Sequence, residues 1–195
     1  NNVITHEFIH IIQIGVAMKY PRRFPASFIQ LLSYEDEKRE DVLYGYPNVI
    51  MSYPIPGVSV PPWLAEGTAQ FMYPGANFDF WDSHRDMILR QAILNDRLLT
   101  YEQMSVFGAK SGLGFEQVYD HGYALTLYIV NRFGEEALTR LYKAMSHKWR
   151  YDFDGATREA LDIPGRQLYA NWKTSLQERY AVQMQTVAAD SAVGE

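Results

Sequence analysis

Residues 3–18 are an apolar run (Val3, Ile4, Phe8, Ile9, Ile11, Ile12, Ile14, Val16) with His6, Glu7 and His10 set in its middle. Its β-branched content suits a strand, but its length favours a helix. A helix apolar on nearly every side is expected to be buried. Two imidazoles and a carboxylate in such a helix carry a desolvation cost that needs compensation. Their spacing suggests how. Positions i and i+4 share one helical face, so both rings can reach one metal ion at roughly 2.0–2.1 Å. Glu7 lies about 100° round from His6, close to the metal without being aimed at it. There it can take a proton from a metal-activated water. The competing reading is a pair of hydrogen-bonded core histidines.

Composition narrows the remaining ligands. The chain contains no cysteine, which removes thiolate metal sites, disulfides and cysteine nucleophiles together. A metal must then be held by His, Asp or Glu. With 195 residues, 47% of them hydrophobic, the chain is long enough for one domain with a substantial core. Its 18 basic and 23 acidic residues give a net charge of −5, without the basic excess expected of a nucleic-acid-binding domain. No apolar run reaches the roughly 18–20 uncharged residues of a membrane span. The opening Asn1-Asn2, with neither Met nor a signal sequence, is expected of a processed chain or an interior fragment.

A third ligand is needed. Gly and His at positions 13 and 16 would extend the motif, but Gln13 and Val16 stand there. A glutamate some twenty residues downstream would fall at 29 or 30, where the chain has Ile29 and Gln30. Glu35, Asp36, Glu37, Glu40 and Asp41 belong to a run of charges expected to be solvated. Glu66 is different: it is a lone carboxylate in Pro61-Pro62-Trp63-Leu64-Ala65-Glu66-Gly67-Thr68-Ala69. An isolated carboxylate among apolar neighbours needs a partner, and a cation would serve. A capping role at a helix start is the alternative. Gly67 is expected to let this helix approach the His6–His10 helix closely.

Beyond the first helix, stopped by Pro21, a short second helix is expected at 24–34. Seven prolines and glycines over 44–62 imply an irregular connection. A third helix over 63–72 starts with Pro62 in its first turn and is closed by Pro74-Gly75. Asp82 or Ser83 caps a fourth, running to about Asn95. A flexible loop over 108–114 leads into a long apolar helix at 115–133, ended by Gly134. Helices over 135–149 and 168–187 complete a helical second half. Residues 188–195 read as a tail or linker.

The pair His6-Glu7-x-x-His10 and Trp63-Leu64-Ala65-Glu66-Gly67-Thr68-Ala69 resembles the gluzincins, zinc peptidases whose third ligand is a glutamate. Within that group the chain is most similar to the bacterial peptidase MA-like proteins, and more distantly to aminopeptidase N. The likeness continues at Tyr119-Asp120-His121-Gly122 and Phe133-Gly134-Glu135. It implies a mainly helical, zincin-like domain over 1–187, made of the zinc helix and the C-terminal helical half. The N-terminal sheet would be largely missing.

The resemblance also implies zinc-dependent hydrolysis of peptide bonds in a peptide or protein substrate. One Zn²⁺ would sit on His6, His10 and Glu66, with Glu7 as general base. By position Tyr119 inherits the oxyanion-stabilising role. His121 stands where relatives of aminopeptidase N carry Lys, and is a second candidate for that role. Gln70, one turn beyond Glu66, would support a ligand. Peptidase MA-like domains often precede β-propeller repeats in bacterial envelope proteins, which implies an envelope or secreted location. The resemblance equally accommodates a non-catalytic binding or assembly module. The 55 residues between His10 and Glu66 depart from aminopeptidase N, and require the intervening segment to loop out and return.

Overall fold

The computed structural model describes residues 2–20, 27–34, 47–72, 81–107 and 112–192. These residues are mainly helical. In order they form α1 (Asn2–Ala17), β1 (Ser27–Tyr34), β2 (Pro47–Ile55), α2 (Pro62–Phe71) and α3 (Ser83–Leu94). Next come α4 (Tyr101–Met104), α5 (Gly112–Phe133), α6 (Glu136–Met145), α7 (Phe153–Leu161) and α8 (Gly165–Ala192). No described helix is long and apolar enough to cross a membrane. The Pro21 break, the charge run, the Pro74-Gly75 stop and residues 108–111 of the expected loop lie outside the described residues.

Local signals placed most helix ends. Pro61 takes an extended conformation ahead of α2, and Pro62 opens that helix where its missing N–H is not needed. The Asp82 carboxylate accepts the Arg85 amide at 2.8 Å and caps α3. Gly134 ends α5 at φ 83°, a left-handed conformation that favours glycine.

Elsewhere the expectations need correction. Residues 27–34 are a strand rather than part of a helix, and 47–55 pair with them instead of forming an irregular connection. The hairpin is antiparallel, running from Ser27 opposite Ile55 to Tyr34 opposite Pro47. Pro47 heads its strand, where a missing N–H is tolerated. The expected helix over 135–149 stops at Met145. A separate α7 follows, capped by the Asp152 side chain and ended by Asp162 at φ 60°. Helix α8 continues to Ala192, through most of the segment expected to be a tail.

The core is built around α5, which packs against α2, α3, α4, α6 and α8. Trp63, Leu64, Leu89, Val118, Leu125, Ile129, Leu138, Leu141 and Trp172 are fully buried there. An Arg85–Asp120 ion pair at 3.3 Å ties α3 to α5. The closest helix contact is between α2 and α5, and Gly67 belongs to it, not to a contact with α1. A Cβ at Gly67 would strike the Gly122 carbonyl and the Thr126 hydroxyl; one at Gly122 would strike the Trp63 carbonyl.

Helix α1 lies against α2 and α6. It is not buried on every side, as its composition suggested. Val3 is 70% exposed and Ile4 66%, and Phe8, Ile11 and Ile12 are at least half exposed. Polar side chains hold it instead. Buried Lys19, just past the helix, donates from Nζ to the Met145 and His147 carbonyls at the end of α6. Its amide donates to Gly57 at 2.9 Å. Burial, and then the Arg150 charge, lower the Lys19 pKa.

The glycine contact makes a prediction with a sign. Gly67→Ala and Gly122→Ala should each cost about 1–3 kcal/mol by forcing backbone apart. Gly15→Ala, inside α1 with nothing within 4 Å of the added carbon, should gain roughly 0.5–1 kcal/mol. Urea denaturation of the three variants checks this; equal effects at all three positions would refute the packing account.

Candidate metal centre

Helix α1 presents His6 and His10 on successive turns, edge to face, with ring centroids 4.7 Å apart. Their Nε2 atoms are 3.1 Å from each other. Glu66, brought in by α2, places Oε2 3.1 Å from the His6 Nε2 and 3.4 Å from the His10 Nε2. The three donor atoms form a nearly equilateral triangle. Metal–ligand bonds of roughly 2.0–2.1 Å in a tetrahedral site imply ligand–ligand distances of roughly 3.3–3.4 Å. Two imidazole nitrogens and one carboxylate oxygen suit zinc, with a fourth position left for water. The side chains are 20%, 21% and 14% exposed, so the triangle is framed by protein and still reachable.

A second carboxylate stands by. Glu7 has an oxygen within 4.8 Å of ring nitrogens of both histidines and is exposed. The tighter distances make Glu66 the ligand-like carboxylate and leave Glu7 beside the triangle. Tyr119 comes in from α5. Its phenol pKa is raised, first by burial and then by the neighbouring Glu66 carboxylate. The charges of Glu116 and Glu7 push the same way. Residues from three helices thus converge on one spot: His6, Glu7 and His10 from α1, Glu66 from α2 and Tyr119 from α5.

His121 is not among them. Two residues past Tyr119 is about 200° round a helix, so α5 turns the two side chains in different directions. His121 is 0% exposed, with neither ring nitrogen hydrogen-bonded. Burial alone pulls its pKa down to about 4. Gln70 is also set apart: it is buried, and its Oε1 has no hydrogen-bond partner. The glutamine that meets a ring of the triangle is Gln13, whose Oε1 lies 2.9 Å from the His10 Nδ1. Its position three residues after His10, on the same helical face, was the available signal. His147 is exposed beside Glu159 at 3.4 Å, and His84 is exposed on α3. Both lie apart from the cluster.

No family model, curated protein or solved structure matches the chain.

His121 sets a pH dependence. Its folded pKa, about 4, lies below the ordinary value of 6.5, so the unfolded chain binds the extra proton first as pH falls. The stability due to its neutral form is complete above 6.5 and is lost as pH drops through 4, by about 3 kcal/mol. His121→Leu should remove this part of the acid limb. Chemical denaturation of both proteins between pH 7 and pH 4 tests it; parallel curves would contradict the assignment.

Proposed function

We propose that this chain is a gluzincin-type zinc peptidase domain, in which His6, His10 and Glu66 hold one Zn²⁺. The observation that carries the reading is the triangle of donor atoms at 3.1, 3.1 and 3.4 Å, assembled from residues 60 positions apart. A purely hydrogen-bonded cluster would account for the contacts. A metal there would also give Glu7 at the rim and Tyr119 beside Glu66 a chemical role. When bound, zinc would supply Lewis acidity that polarises a carbonyl and brings the pKa of water towards roughly 7.

The chain's own residues do the rest. Glu7, exposed beside the triangle, takes the proton of the attacking water and passes it to the departing amine. Tyr119 stays protonated at neutral pH, because burial and the neighbouring carboxylates disfavour its anion. It is therefore a donor for the substrate carbonyl oxygen as negative charge develops there. The substrate class that follows is a peptide or protein chain. By the same resemblance, we place the domain in a larger protein of the bacterial envelope.

Metal analysis with zinc titration should give one zinc per chain, lost in His6→Ala and in Glu66→Ala. Glu7→Gln should keep the metal and lose hydrolysis by on the order of 10²–10⁴. Tyr119→Phe should lower kcat by roughly 10²-fold with little change in KM, as the loss of an oxyanion donor does. A wild-type protein that takes up no stoichiometric zinc sinks the proposal. Zinc uptake without cleavage of any peptide would favour the binding module instead.

A further inference from the structure

We infer that Gln13 is a positioning residue that sets the tautomer of His10 and locks the two ligand-bearing helices together. The inference deepens the zinc reading and rests on it for its purpose, though not for its geometry. The Gln13 Nε2 donates to the Ala65 carbonyl at 3.0 Å. A carbonyl oxygen can only accept, so this contact fixes which end of the amide is the nitrogen. The other end, Oε1, faces the His10 Nδ1 at 2.9 Å and can only accept in turn. The proton of the neutral ring therefore sits on Nδ1. Its lone pair is left on Nε2, the atom that closes the triangle with His6 and Glu66.

The second consequence is mechanical. Ala65 immediately precedes Glu66, so one side chain of α1 grips α2 next to the third ligand. Gln13 is buried, and both its bonds are part-buried. The His10 ring is thus oriented, and given the metal-binding tautomer, by the protein before any ion arrives. Outer partners of this kind typically change metal affinity by about 10–100-fold. Gln70, one turn beyond Glu66, does not take this part, because its amide oxygen is buried without a partner.

The test reads the tautomer directly. Nitrogen-15 NMR of the histidine rings in metal-free protein at pH 8 should show His10 as the Nδ1–H form. Gln13→Met should lose that preference and bind zinc 10–100-fold more weakly in chelator competition. Gln13→Glu keeps an acceptor towards Nδ1 and should restore the tautomer, which a merely space-filling role would not. His10 found as the Nε2–H form in the wild type overturns the inference, even if zinc binds. The same holds if Gln13→Met keeps both the tautomer and the affinity. Should Gln13→Met fail to fold, the wild-type spectrum still decides. A wild type with the Nδ1–H form that binds no zinc supports the tautomer assignment while refuting the metal reading, so the two failures are distinguishable.

Discussion

The backbone contact between Gly67 and Gly122 is the constraint on which the site depends. Side-chain packing alone keeps helix axes some 8–10 Å apart. Here α2 and α5 meet backbone to backbone, with the Thr126 hydroxyl filling the space beside Gly67. Glu66 is one residue before Gly67, and Tyr119 three before Gly122, so both side chains leave the helices at the edge of that contact. Trp63 anchors it from below, fully buried and edge-on to Phe153 of α7 at 5.3 Å between ring centroids. The approach of Tyr119 to Glu66 is a short-range result of this helix packing.

Helix α1 is fastened on a different principle. Its large apolar residues are mostly exposed, while the polar Gln13 and Lys19 are among the most buried groups in and just after it. Each buried polar group satisfies backbone carbonyls: Gln13 that of Ala65, and Lys19 those at the C-terminal end of α6, where a cation is favoured by the helix dipole. Hydrogen bonds to fixed carbonyls orient a helix about its axis more strictly than apolar burial does. Rotation matters here, since 100° decides whether a side chain meets Glu66 or points past it.

The environments of the titratable groups divide their roles. Glu66 is hemmed in by two imidazoles and a phenol, whereas Glu7, next to His6 in sequence, is exposed. Tyr119 is kept as a phenol by burial and carboxylate charge. His121 is kept neutral by burial alone, a cost that the core bears and that no bond to another residue offsets.

The sequence by itself determined what depends on neighbours within about one helical turn. The His6–His10 spacing puts both rings on one face of α1. Pro62, Asp82 and Gly134 mark helix boundaries through missing donors, a capping carboxylate and a left-handed turn. The lone carboxylate in an apolar segment marked Glu66 as a residue in want of a cation-like partner. Tertiary structure decided the rest. Residues 27–34 are a strand because 47–55 lie alongside, a pairing that no local pattern in either segment encodes. The uniform apolarity of α1 did not say which face would be covered. Gln13 rather than Gln70 reached His10, and Tyr119 rather than His121 came to lie beside Glu66, because each choice turns on how a whole helix is rotated against its neighbour. That rotation is set by contacts between residues tens of positions apart, such as Gly67 with Gly122 and Gln13 with Ala65.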